Sequence, residues 1–418
     1  MVTEVNTLPA GRARPATEAD LRRLLGRGVV EIIPRDILVA KLTAGERLRL
    51  YMGVDPTSPV IHLGHAVPLR KLRQFQELGH EVVLLIGDFT GRIGDPTDRS
   101  ATRVQLTHEQ VLANAQTYRE QAAKILDFDS PTNPVQIRYN GDWWDRMTAK
   151  DMIELAAHFT VNQMLQHETY ARRLEEGRPL GLHEMLYPLL QGYDSVALDT
   201  DVEIGGTDQK FNMLVGRELL LRLKGKEKVV ITCPLLEGTD GRKMSKSFGN
   251  VIGVTDPPYE MYGRVMSLKD ELIVRYFELA TDVPDEELRE IEQLLREQRV
   301  NPMEIKKRLA REIVTLYHGA EAALEAERRF EREVQRREIP AELPEVFIGE
   351  QTTWHIADLL VASGLVAGKN EAKRLVQQGS VQLDGTRIED PLALVTVHDG
   401  AVLRARKRSF ARLRVRRP

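Results

Sequence analysis

The chain has 418 residues, 42% hydrophobic and 29% charged, with a formal net charge of −3. This composition fits a globular protein of two to four domains at roughly 100–200 residues each, and the charge excludes a chain that is basic throughout. No apolar run approaches the roughly 20 residues of a membrane-spanning helix. One cysteine, Cys233, leaves no intrachain disulfide and no cysteine-cluster zinc site, so a cytoplasmic location with no membrane partner is expected.

Residues 1–16 read as a flexible leader of small and polar residues. Thr17-Glu18-Ala19-Asp20 fits a helix N-cap, with Leu21, Leu24 and Leu25 on one face, and a second helix is expected after Pro34. From Leu48 strands and helices alternate. Strands are expected at Leu48–Val54, Glu81–Gly87, Val202–Gly206 and Lys228–Leu236, the last holding Cys233 as a small buried core residue. Helices are expected at Gly64–Leu78, with Pro68 in its first turn, within His108–Asp127 and Thr148–Glu176, and at Gly181–Leu198 and Gln209–Leu223. The continuous apolar run EVVLLIG suits a parallel strand buried on both faces. The fold class is therefore α/β: a doubly wound, Rossmann-like parallel sheet over 17–256, with ligands at the carboxyl ends of its strands. Pro257-Pro258 marks a shift to a charged α-helical domain over 257–337. A linker is expected over 338–351 and a small third module over 352–418.

Two strings carry chemistry. His62-Leu63-Gly64-His65 follows a strand ending near Asp55-Pro56-Thr57 and opens a helix. Spaced by three, the histidines fall on one side of the first turn. The N–H groups and dipole there favour anions, so two imidazole donors can stabilise charge building on a phosphate. Gly64 lets a purine or ribose lie close to the backbone. As metal ligands these histidines would lack a cysteine or third histidine to complete a zinc set; as ordinary cap residues they would carry no chemistry. Lys243-Met244-Ser245-Lys246-Ser247 follows a turn at Asp240-Gly241. Its two ammonium groups and hydroxyls suit a departing pyrophosphate, and a mobile loop can clamp only when the triphosphate is bound. Each string alone is weak, since lysine-bearing surface loops are common. In this order in one α/β domain they point to one nucleotide site and adenylyl transfer from ATP. No Walker-A string or GxGxxG fingerprint appears.

Tyr187, Gln191 and Asp194, spaced by four and three, share a helix face that could also be a solvent face. These residues, with Tyr51-x-Gly53-x-Asp55-Pro56-Thr57, Ile93-Gly94-Asp95-Pro96, Gly205-Gly206-Thr207-Asp208-Gln209 and the two strings, resemble the class I aminoacyl-tRNA synthetases. Within them the flanking strings are similar to the bacterial tyrosyl-tRNA synthetase family, over nearly the whole chain after the leader. The resemblance implies that ATP, with Mg2+, activates tyrosine to tyrosyl-adenylate, releasing pyrophosphate, before transfer to the 3′ end of tRNA. No protein-bound metal is expected. It implies that Tyr51 and Asp194 bind the substrate phenol, that Asp95, Tyr187 and Gln191 hold the α-ammonium, and that Gln209 lies by the carboxylate. Thr57, His62, His65, Lys243, Lys246 and Ser247 would meet the phosphates, with Arg99 and Arg103 assisting the pyrophosphate. Gly206 and Asp208 would face the ribose, Leu235 and Leu236 would offer backbone groups to adenine, and Asp55 would orient the reacting end. Met52 and Glu203 stand where some relatives carry a cysteine and a glutamine, departures that bear on affinity.

Lys306, Lys307 and Arg308 could meet RNA phosphates or form a solvated helix face. In the last module Ala357–Leu360 and Glu371–Leu375 read as short helices and Gly379–Gly385 as a turn and hairpin. This small α+β module resembles the S-four-type RNA-binding domain. Lys369, Lys373 and Arg374, with Arg406, Lys407 and Arg408 of the basic tail, are its expected RNA contacts. The family resemblance also implies a homodimer joined through the insertion over about 128–200, where Phe159, Met164 and Leu165 would serve equally as core. Competing readings are a tryptophanyl-tRNA synthetase, a non-catalytic RNA-binding paralogue and a small-molecule nucleotidyltransferase. Tyr51, Asp194 and the RNA module favour tyrosine; the intact strings and Asp208 argue against a non-catalytic role.

Overall fold

A computed structural model describes residues 13–96, 106–245, 248–335, 343–406 and 409–415. Arg99, Arg103, Lys246, Ser247, Lys407 and Arg408 lie outside the described residues. The chain divides into two compact units, Met1–Phe330 and Glu331–Pro418.

The first unit is built on β1 (Glu31–Ile33), β2 (Arg49–Val54), β3 (Glu81–Ile86), β4 (Gln136–Tyr139), β5 (Val202–Gly206) and β6 (Val229–Cys233), in the order β1-β6-β5-β2-β3-β4. Every neighbouring pair is parallel except β1 with β6, so an antiparallel edge strand is added to the expected sheet. β1 escapes sequence reading because it is three residues long. β4 escapes because an edge strand need not show an apolar run; its residues are half-buried or exposed. The winding reverses between β2 and β5, which opens a crevice at their carboxyl ends.

Thr17 caps the helix Glu18–Leu25 through a reciprocal box with Asp20. Residues 13–16, expected in the flexible leader, are instead tied down: the N–H groups of Ala13, Arg14 and Ala16 donate to the carbonyls of Gly45, Leu78 and Leu42. The helix after β2 spans Leu63–Glu77. Pro68 is thus its sixth residue, beyond the first turn, and it cannot donate to the Gly64 carbonyl.

The helices Pro258–Met266, Ile273–Ala280, Asp285–Arg296, Pro302–His318 and Ala320–Phe330 follow. They fall in the same compact unit as the sheet, because side chains cross between them. Arg27 donates to the carbonyls of Glu278 (2.6 Å) and Thr281 (3.1 Å). The charges named as possible RNA contacts are engaged internally: Lys306 with the Leu268 carbonyl and Asp270, Lys307 with Glu304, and Arg308 with Glu287.

The second unit holds β7 (Glu345–Phe347), β8 (Thr353–His355), β9 (Gln382–Leu383), β10 (Thr386–Arg387), β11 (Leu394–Thr396), β12 (Val402–Arg406) and β13 (Ser409–Arg414). A five-stranded sheet runs β10-β9-β12-β13-β7, and β8 pairs with β11. With the helices Ile356–Ala362 and Lys369–Gln377 it closes over a core of Leu359, Leu360, Val376, Leu403 and Leu413. β7 lies inside the expected linker, where flanking proline masks a three-residue strand paired parallel to β13. No described helix is long and apolar enough to cross a membrane.

His80, just before β3, is 1% exposed, and its Nδ1 accepts the Leu48 N–H at 3.3 Å. Burial pushes its pKa from 6.5 down to about 4. Its neutral form therefore favours the fold above pH 6.5, a contribution lost as pH falls through about 4 and on the order of 3 kcal/mol. His80→Asn, which keeps an acceptor but does not titrate, should flatten stability against pH between 4 and 6.5 in denaturant titrations. A slope equal to wild type would refute the assignment.

Candidate active site

A cleft of about 240 Å³ opens at the carboxyl ends of β2, β3, β5 and β6. Of the residues singled out from sequence it gathers Asp55, Thr57, His62, Gly64, His65, Asp95, Tyr187, Gln191, Asp194, Gly206, Asp208, Gln209, Leu235, Leu236 and Lys243.

At one end β2 delivers the chain to the Leu63–Glu77 helix, with His62 as its N-cap. The His62 and His65 rings stack at 3.8 Å between centroids and 19° between planes. The spacing of three does put both imidazoles on one side of the helix start, where the dipole favours anions. Across the cleft Lys243 Nζ lies 2.9 Å from Asp208 Oδ2. A Cβ at Gly206 would sit 2.4 Å from Asp208 Oδ1 and 2.9 Å from Leu235, so a side chain there would displace both.

The deeper end belongs to the helix Leu182–Leu198. Its entry is pinned by Glu184, which accepts the Gly181 N–H and pairs with the buried Arg173 at 2.8 Å. Pro188 cannot donate to the Glu184 carbonyl four residues back; the Tyr170 hydroxyl donates to it instead, at 2.6 Å. Tyr187, Gln191 and Asp194 therefore line the cleft from an intact helix face. The Tyr187 hydroxyl donates to Asp55 Oδ2 at 2.8 Å, and Thr90 donates to Oδ1 at 2.7 Å. Burial, with Asp55 and Asp95 nearby, raises the Tyr187 pKa far above its usual range and keeps it a donor. Asp95 accepts Gln209 Nε2 at 2.6 Å.

Asp194 is 3% exposed. Its Oδ1 accepts both indole N–H groups, Trp143 at 2.9 Å and Trp144 at 3.1 Å, and its Oδ2 accepts Asn140 at 3.2 Å. Burial raises its pKa above the ordinary carboxylate range, and these three donors oppose that rise. A carboxylate has about four acceptor directions, so one on Oδ2 stays available to a ligand hydroxyl.

Tyr51 stands behind the cleft residues, close enough to Glu203 and Asp194 for their charges to act on its hydroxyl. It is fully buried, outside the cleft wall, with its hydroxyl 2.8 Å from Ser195 Oγ. Its strand neighbour Met52 lines the cleft, because successive side chains of a strand face opposite ways. Sequence reading missed Thr90, Asn140, Trp143 and Trp144. The only available signal was that two of the chain's three tryptophans are adjacent.

In the second unit Lys369 pairs with Asp358 at 2.5 Å and Arg406 with Glu371, while Lys373 and Arg374 are exposed.

The family model described as tRNA synthetases class I (W and Y) matches residues 43–335. The tyrosine–tRNA ligase of Moorella thermoacetica is 52% identical over 396 residues, covering 94% of this chain and 95% of its own length. That of Thermotoga maritima is 50% identical over 392 residues, covering 94% and 96%. A C-terminally truncated mitochondrial tyrosyl-tRNA synthetase from Coccidioides posadasii superposes with a TM-score of 0.60 at 25% identity, covering 74% of this chain and 90% of that structure.

Proposed function

The chain belongs to the class I tRNA synthetases for tryptophan and tyrosine, and from that premise we propose how its cleft performs the reaction of a tyrosine–tRNA ligase. The tyrosine ligases similar to it over almost their whole length favour tyrosine over tryptophan. The observation that carries the reading is one cleft joining the His62–His65 helix start to a buried carboxylate held by two indoles.

The substrate phenol donates to Asp194 Oδ2 at the deep end. Tyr187, Gln191 and Asp95 take the ammonium, and Gln209 lies by the carboxylate. A tyrosine carboxylate oxygen forms a bond to the α-phosphorus of ATP, and the bond to the pyrophosphate oxygen breaks. The nucleophile is already anionic, so no general base is needed, and catalysis is positioning plus electrostatics. Thr57, His62, His65 and the lysines of the KMSKS string receive the growing phosphate charge, with Arg99 and Arg103 assisting. Asp55 fixes Tyr187 through their hydrogen bond. Asp208 and Gly206 face the ribose, and the backbone at Leu235 and Leu236 faces adenine. Magnesium arrives on the nucleotide phosphates. The 3′-terminal hydroxyl of tRNA then attacks the activated carbonyl and AMP leaves. Pyrophosphate exchange assayed with each of the twenty amino acids tests the assignment; exchange with tryptophan and not tyrosine would overturn it.

The second unit delivers the tRNA, through Lys369, Lys373, Arg374 and the strand and tail around Arg406. Removing Thr352–Pro418 should abolish tRNA charging and spare tyrosine-dependent exchange. Loss of both in a folded protein would refute separate roles. A second copy of the chain covers the insertion, whose Ile153, Val161 and Leu182 stand 71%, 62% and 76% exposed. The cytoplasm is the expected compartment.

A further inference from the structure

A buried ion pair lies at the wall of the cleft, and no role above uses its lysine. Lys228 at the start of β6 and Glu203 on β5 are 0% and 2% exposed, and their side chains meet directly. The parallel register puts both side chains on one face, since Glu203 pairs with Val230, two residues beyond Lys228. Room for the ammonium comes from Gly216, where a Cβ would fall 2.7 Å from Lys228 Nζ. A lone charge at such depth is costly, and a pair persists only where further hydrogen bonds satisfy it.

Those further bonds lead toward the amino-acid end of the cleft. Lys228 Nζ donates to Ser195 Oγ at 2.8 Å, and Ser195 sits 2.8 Å from the Tyr51 hydroxyl. Glu203, itself a cleft residue, accepts Gln191 Nε2 on Oε1 at 3.3 Å. The Gln191 carbonyl accepts Asn212 Nδ2 at 3.0 Å, Asn212 also donates to Gln209 at 3.3 Å, and Gln209 donates to Asp95. One hydrogen-bonded chain therefore runs from the ion pair through Glu203, Gln191, Asn212 and Gln209 to Asp95.

We propose that Lys228 is a positioning residue for amino-acid recognition: by holding Glu203, it aims the amide of Gln191 and, through Asn212, sets Gln209 and Asp95 for the substrate's ammonium and carboxylate. Its hydrogen bonds among the described residues run to the amino-acid end of the cleft, so its loss acts on tyrosine affinity and leaves ATP affinity in place. The inference rests on the tyrosine reading above.

The test uses tyrosine-dependent pyrophosphate exchange with the full chain. Lys228→Met strands the Glu203 carboxylate; KM for tyrosine should rise at least about tenfold, with KM for ATP within about twofold and kcat changed less than KM. Adding Glu203→Gln removes the stranded charge but keeps an acceptor for Gln191, and should recover most of the loss. Adding Glu203→Leu removes charge and acceptor together, and should leave KM for tyrosine at least about fivefold above the Gln double variant. Lys228→Met with unchanged KM and lowered thermal stability would make the pair merely structural and overturn the proposal. If Lys228→Met does not fold, the two double variants decide, and equal KM values between them overturn it. A wild-type chain that fails to exchange with tyrosine would instead sink the tyrosine reading itself.

Discussion

Asp194→Ala is expected to raise KM for tyrosine by about 10- to 100-fold, the worth of the hydrogen bond it would make to the phenol, while the donors left unpaired lower stability. The substitution removes the acceptor for the phenol and orphans three protein donors at once, the indoles of Trp143 and Trp144 and the amide of Asn140. Selectivity should fall with affinity, because phenylalanine forgoes the same bond that tyrosine loses. The rate of adenylate formation at saturating tyrosine should fall much less. Equal tyrosine affinity and undiminished discrimination against phenylalanine in the variant would remove Asp194 from the phenol site.

His62→Ala should do the opposite. The imidazole sits at the helix start, stacked on His65, and takes no part in the hydrogen bonds that Asn140, Trp143 and Trp144 make to Asp194 among the described residues. Loss of one donor aimed at transition-state charge is worth about 10²–10³ in rate. Single-turnover formation of tyrosyl-adenylate should slow by that factor, with tyrosine affinity within about twofold of wild type. An unchanged single-turnover rate would overturn the role. The two variants together separate recognition from chemistry along one cleft.

What the sequence disclosed follows from which signals are local. The Leu63–Glu77 helix and β3 are legible because an apolar period and a buried run are written in consecutive residues. The position of His62 and His65 follows from the same boundary. Asn140 and Trp143 were hidden because their partner Asp194 lies some fifty residues on, and no period links them. Lys228 reads in sequence as the polar edge of an apolar strand; its burial depends on Glu203 in a neighbouring strand and on the gap at Gly216. Tyr51 shows the limit of a motif. The string around it is recognisable, yet it does not disclose that the hydroxyl meets Ser195, next to Asp194 on one helix, while Met52 lines the cleft. Helix continuity at Pro188 also rests on a residue outside the helix, Tyr170.

The Lys243–Asp208 contact sets the lysine and an arriving ribose in competition for one carboxylate. If Asp208 takes the ribose as proposed, an arriving sugar displaces the Lys243 ammonium from it. The eviction is easy: both side chains are partly exposed, at 39% and 23%, and such pairs are worth about 0–1 kcal/mol. So weak a pair would let Lys243 and Asp208 exchange partners when ribose and phosphates arrive together.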